Sequence, residues 1–289
     1  MECADLSALS PLATCREPFF TMRRQVAARP KRRQVAALQM TITATASFLY
    51  DAALAVVYPQ ACAVCAGSVE ARADGVVCTE CWNGTAVFSG AEAVCWKCGL
   101  VSLGKIADDQ RELVRCGRCD EDSFTAARAC GFYEGALRAA VLELKRRPQA
   151  PARLAHLMVE ASRRRPLNEA TLIVPVPLHP ERERERGFNQ AVVLGRLLAR
   201  STGLRCDEHS LVRDLHTERH RTGMDARARR ESVADAFSVA RPRLIDGETV
   251  LLVDDVFTTG ATVSACAAEL KAAGARDVFV LTIARPQIF

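Results

Sequence analysis

Between Cys62 and Cys119, eight cysteines fall into four C-x-x-C pairs: Cys62/Cys65, Cys78/Cys81, Cys95/Cys98 and Cys116/Cys119. A C-x-x-C turn aims two thiolates at one ion, and a second turn completes the tetrahedron of soft donors that zinc takes. Twelve residues separate the first two pairs and 17 the last two. That is room for short hairpins, with Gly67, Gly75, Gly99 and Gly104 as turn residues. The segment predicts two successive zinc ribbons with two structural ions, because all eight thiolates are spent as ligands. Pairing of neighbouring turns is the simplest assignment, and an interleaved one is the alternative. Ferredoxin-type C-x-x-C-x-x-C spacing is missing, which disfavours iron–sulfur ligation. A redox dithiol would need a thioredoxin-like strand and helix around it.

A second constellation lies at Val250 to Thr262, VLLVDDVFTTGAT. A continuous apolar run, as a buried parallel strand requires, ends in Asp254 and Asp255. Thr258, Thr259, Gly260, Ala261 and Thr262 follow as a turn of small and hydroxyl residues, and a helix begins there. Backbone N–H groups of such a turn converge on an anion at the helix N-terminus. The loop falls at the carboxyl end of a strand, where open α/β sheets bind ligands. Two carboxylates beside an anion cradle suit a sugar phosphate, with the acids accepting from ribose hydroxyls.

The elements that must position these residues alternate from Ala126 onward. Helical stripes run through Gly135–Leu144, through Leu154, Leu157, Met158 and Ala161, through Val192–Leu198, and through Val263–Ala273 with Gly274 as its cap. Strand signals lie at Thr171–Pro177, Val250–Val253 and Val278–Ile283. The expected fold is an α/β parallel sheet flanked by helices on both faces, preceded by the small double zinc-ribbon domain.

Residues 250–262 resemble the phosphoribosyl pyrophosphate (PRPP) motif of type I phosphoribosyltransferases. Upstream, Pro175–Gln190 reads PVPLHPERERERGFNQ. With the cysteine pairs before it and VDDVFTTGAT after it, the chain from about Ala46 to Arg285 resembles the ComF family. Members of that family join a double zinc ribbon to a phosphoribosyltransferase domain and are associated with competence and DNA uptake. The resemblance implies Mg²⁺ bound with PRPP, and Asp254 and Asp255 as the catalytic acids on the ribose. It implies that Thr258, Thr259, Gly260, Ala261 and Thr262 hold the 5′-phosphate. It makes Pro175–Gln190 the pyrophosphate loop, with Arg182, Arg184, Arg186, Gly187, Asn189 and Gln190 as candidate contacts. A bland reading of ERERER is a solvated helix with i,i+4 pairs. Arg213–Arg230 would be a closing loop, although His220 stands near a position where relatives often carry Gln. Some purine phosphoribosyltransferases carry an acid three residues after the acidic pair, and Thr258 occupies that position here. Cys3 lies in a tail-like segment and does not read as an amidotransferase nucleophile.

Three functions follow as alternatives: a PRPP-dependent transferase of open acceptor, a PRPP-sensing adaptor, or a nonenzymatic DNA-uptake factor that binds single-stranded DNA or a competence helicase. Charge bears on the choice. The chain has 289 residues and a net charge of +5. Met1–Gln39 carries +4, Met40–Leu144 −5, Lys145–Arg230 +9 and Glu231–Phe289 −3. The basic middle fits an anion site better than a DNA-coating surface, and Phe188 is its only aromatic residue for stacking.

The hydrophobic fraction of 49% and charged fraction of 25% are ordinary globular values. No run of 18 apolar residues suggests membrane insertion. Metal-type cysteines point to a reducing, cytoplasmic setting. The expected organisation is residues 1–43 as a disordered basic arm, or a start assigned ahead of a true Met40. Residues 44–125 are an amphipathic helix plus the ribbons, and residues 126–289 the phosphoribosyltransferase-like domain. No feature fixes an oligomeric state.

Overall fold

A computed structural model describes residues 60–71, 74–102, 106–213 and 236–287. The basic arm, the expected amphipathic helix before Tyr58, and the expected closing loop after Arg213 with His220 lie outside the described residues. The described residues all belong to one compact unit.

The centre is a five-stranded sheet of β1 (Ala126–Phe132), β2 (Leu172–Pro175), β3 (Arg205–Cys206), β6 (Thr249–Val256) and β7 (Asp277–Arg285) in the order β1-β7-β6-β2-β3. Every pairing in it is parallel. A separate antiparallel hairpin joins β4 (Leu211–Arg213) to β5 (Phe237–Val239). The helices are α1 (Thr79–Asn83), α2 (Gly135–Leu144), α3 (Ala152–Ser162), α4 (Pro180–Arg186), α5 (Gln190–Thr202) and α6 (Ala261–Ala272). This is the parallel, helix-flanked arrangement expected of a type I phosphoribosyltransferase-like domain. Among the described residues, the helices and strands expected from Gly135 onward are present, with ends displaced by a few residues. β1, β3 and the β4–β5 hairpin are additions to the sequence reading.

Side chains of a parallel strand alternate between two buried faces, and β6 shows the consequence. Leu251 and Val253 join one core with residues of α2, α3 and α5, including Leu137, Leu154 and Leu194. Val250 and Leu252 join the other with α6 residues Val263, Cys266 and Leu270 and with Phe237 of the hairpin.

Each ribbon is built into one of these cores. Cys62, Val69, Val77, Cys78 and Trp82 pack with the α2–α3–α5 face. Cys95, Cys98, Cys119 and Phe124 pack with the α6 face. Trp82 is 2% exposed, and its indole N–H donates to Asp74 O at 2.9 Å. Thr85 Oγ1 accepts from Ala136 N at 2.9 Å, satisfying an N–H at the start of α2.

The free edge of β1 is covered by the ribbons. Phe88 N donates to Cys130 O (2.7 Å), Ala127 N donates to Lys97 O (2.6 Å), and Val87 bridges Gly131. A Cβ on Gly131 would lie 2.4 Å from Ala86 O, so this approach requires glycine.

Candidate functional site

The eight cysteines form two groups, Cys62/Cys65/Cys78/Cys81 and Cys95/Cys98/Cys116/Cys119, and the ligand sulfurs of each lie within 4.8 Å of one another. The structure thus selects the neighbouring assignment over the interleaved one. Sulfur separations are 3.7 Å for Cys65–Cys78, 3.7 Å for Cys95–Cys119 and 3.5 Å for Cys98–Cys116. Tetrahedral zinc with bonds of about 2.3 Å places sulfurs about 3.8 Å apart. Cys62 Sγ accepts from Val64 N (3.4 Å) and Cys78 N (3.3 Å), as thiolate ligands do. Both groups fit zinc, and neither leaves a position for substrate.

The second constellation sits at the carboxyl edge of the sheet. Asp254 and Asp255 stand just before the last residue of β6 and project to opposite faces. Asp255 is 8% exposed and its Oδ2 accepts from Lys145 Nζ at 3.2 Å and Gln190 Nε2 at 3.3 Å. Arg186 Nη1 in turn donates to Gln190 Oε1. Lys145, Asp255, Gln190 and Arg186 therefore form one continuous polar chain. Asp254 Oδ1 accepts from Asp255 N at 2.8 Å. Burial, and then the Asp255 carboxylate beside it, hold the Asp254 carboxyl well above its ordinary range, with Lys145 opposing.

Beyond the acids, Phe257 is buried and its N–H donates to Ala284 O at 2.9 Å. Thr258 is exposed, and Gly260 adopts φ 83° to start α6. A Cβ there would meet Phe257 Cζ at 2.9 Å. The first bond within the helix runs from Ser264 N to Gly260 O (2.8 Å). The N–H groups of the preceding turn thus have no partner inside the helix, the arrangement that cradles an anion.

The Pro175–Gln190 loop divides by role. Pro180–Arg186 is the solvated helix of the bland reading, with Arg182 and Arg184 exposed. Gly187, at φ 81°, ends α4 by donating to Glu183 O. Asn189 caps α5, accepting from Ala191 N (2.9 Å), while its amide nitrogen donates to Val176 O (3.0 Å). Its side chain is thereby spent on shaping the loop. Of the expected contacts, Arg186 and Gln190 are brought to the acids. Lys145 was not among the sequence candidates. Its one signal is position, immediately after the apolar stripe of α2, where it ends the helix. An open groove of about 1300 Å³ adjoins this region, lined among the described residues by Gly187, Phe188 and Asn189 and by charges of both signs, Glu143, Arg147, Arg196 and Glu208.

Residues 53–120 match the family model described as a double zinc ribbon domain. Competence protein F of Haemophilus influenzae is 30% identical over 233 residues, 78% of this chain and 96% of its own length. The chain belongs to the ComF family. A second relative of this ComF-family chain, DNA utilization protein YhgH of Salmonella typhimurium, is 32% identical over 67% of this chain and 84% of its own. A solved glutamine PRPP amidotransferase from B. subtilis is 19% identical at a TM-score of 0.33, covering 50% of this chain and 30% of that one. Among the described residues no helix is long and apolar enough to cross a membrane.

Proposed function

We propose that this chain binds PRPP with Mg²⁺ at the carboxyl edge of its sheet and serves competence or DNA utilisation, the roles named for its relatives. The observation that carries the reading is the polar chain Lys145–Asp255–Gln190–Arg186 beside the Phe257–Ala261 turn. Two acids, two cations and an anion cradle lie together at the end of one strand.

In this reading Asp254 and Asp255 accept from the ribose hydroxyls, and the 258–262 turn holds the 5′-phosphate. Lys145 and Arg186 face the pyrophosphate. Two carboxylates and neighbouring hydroxyls are hard oxygen donors, which suit Mg²⁺ bound together with a diphosphate. The ion supplies charge neutralisation for the pyrophosphate. In a transferase reaction the C1′–O bond to pyrophosphate breaks, and its electron pair leaves with the pyrophosphate. An acceptor lone pair then forms the new bond to C1′.

Calorimetry of Mg·PRPP against the zinc-loaded protein tests the reading, with Asp254→Ala/Asp255→Ala as comparison. Losing two charge-assisted acceptors worth about 1.5–3 kcal/mol each should weaken binding at least about 100-fold. Absence of binding to folded wild type sinks the proposal. Pyrophosphate release in an acceptor screen separates a transferase from a sensor.

A pH dependence follows. Asp254 has its folded pKa raised, so its proton is retained above the ordinary value of 3.8. Ionising it costs stability, and the free protein should become less stable as pH rises through the shifted value. A cation-bearing ligand prefers the ionised form, so binding should release a proton and strengthen with pH over the same window. Calorimetry in buffers of different ionisation enthalpy reads this directly. Buffer-independent heats would exclude the linkage.

A second reading, an adaptor for single-stranded DNA or a competence helicase, draws on nothing more than the words competence and DNA utilization in the relatives' names. Against a DNA track, the large groove mixes both signs of charge. Steep salt dependence of single-stranded DNA affinity, with no PRPP binding, would favour this alternative.

A further inference from the structure

We propose that Phe124 and Arg285 are positioning residues that tie the phosphate loop to the second zinc ribbon. Ligand binding at the loop and zinc retention by Cys95, Cys98, Cys116 and Cys119 are then coupled, and the first ribbon stands outside the link. The inference rests on the PRPP reading of the loop.

Two short paths join the second zinc centre to the loop. The first follows the chain out of Cys119. Asp122 N donates to Cys119 O (3.1 Å), and Ser123 N donates to Ser264 Oγ (2.9 Å) in the first turn of α6. Phe124, 1% exposed, then packs edge-on against Phe257, with ring centroids 5.8 Å apart and planes at 82°. The second path runs through Arg285, which is 4% exposed. Its Nη1 donates to Cys98 O at 2.8 Å, and its guanidinium lies 5.4 Å from the Phe257 ring centroid. Phe257 therefore packs against two groups whose own places depend on ligand residues of one zinc centre. Phe257 in turn sets the loop, because Gly260 has only the room that this ring leaves it.

The first ribbon has a different attachment. Its Trp82, Cys62 and Cys78 belong to the opposite core. Its hydrogen bond to α2 is at Ala136, the end of that helix remote from Lys145. Opening the second ribbon releases Phe124 and Arg285 and with them the packed ring under the loop. A ligand that needs the loop in place opposes that opening, and the coupling is reciprocal.

The chain contains 2 tryptophans, Trp82 in the first ribbon and Trp96 in the second, so fluorescence can assign each release phase. The experiment follows zinc transfer to a zinc-selective colorimetric chelator, with and without saturating Mg·PRPP. Release from the second ribbon should slow by at least about fivefold, and release from the first should be unchanged. In Phe124→Leu and Arg285→Gln the slowing should shrink below about twofold while Mg·PRPP still binds, an effect that a purely structural role would not produce. Equal slowing at both ribbons overturns the proposal, because it would report general stabilisation. No slowing in wild-type protein that calorimetry shows to be saturated overturns the coupling alone. No calorimetric binding overturns the PRPP reading, and the coupling falls with it.

Discussion

Removing zinc should lower the melting temperature by about 10–20 °C and shift Trp82 emission to the red. Structural zinc in isolated fingers contributes about 10–16 kcal/mol. Here the ribbon residues keep part of their packing against the sheet, so a loss of about 5 kcal/mol is the reasonable scale, at about 2–4 °C per kcal/mol for a unit of this size. The reason is structural. Cys62, Cys78 and Trp82 lie in the same core as Leu137, Leu154 and Leu194. Asp74, whose carbonyl receives the Trp82 indole, is also 3.6 Å from Arg153 on α3. Chelation followed by scanning calorimetry measures the effect, and Cys78→Ser isolates the first ribbon. A melting temperature unmoved after verified loss of both ions would show that the ribbons are decoration on a self-sufficient sheet.

Gly260→Val should weaken Mg·PRPP binding about a thousandfold while costing only about 2 kcal/mol of stability, or about 4–8 °C. A side chain at φ 83° costs about 1–2 kcal/mol by itself. Here the new Cβ also meets Phe257 Cζ at 2.9 Å, and that ring is held by Phe124 and Arg285 and has little freedom to yield. The turn must then open, and two or three N–H bonds to phosphate are lost at about 1.5–3 kcal/mol each. Gly203→Val is the matched control. It sits at φ 79° with nothing within 4 Å of its Cβ, so it carries the strain without the collision and should bind normally. Calorimetry on both variants decides the matter, and normal binding by Gly260→Val would remove the turn from the site.

The cysteine pairs and the 250–262 run were legible because their chemistry is written in consecutive residues. The α2, α5 and α6 helices were legible for a related reason, since their apolar stripes carry the helical period. β1 was not. Its sequence, Ala126 to Phe132, has small residues and Arg128 where a central strand would show branched apolar ones. The structure supplies the cause: Lys97 O and Ala86 O approach its backbone, and small side chains make room for them. Lys145, Phe124 and Arg285 escaped because each acts on a partner more than a hundred positions away. Sequence spacing places residues along an element, but contacts such as Lys145–Asp255 depend on how the elements stack. The pairing of the zinc ligands was open for the same reason.

The cover over β1 also bears on the order in which the chain is made. β1 is seven residues long and ends the sheet, and its outer N–H and C=O groups would otherwise template pairing with another molecule. Here Phe88 and Lys97 occupy that edge, and both precede β1 in the chain. A ribosome therefore delivers the guard before the strand it guards. In a cell short of zinc the same order turns against the protein: the strand emerges beside an unformed ribbon, and clumping of new chains, more than lost activity, would be the first sign.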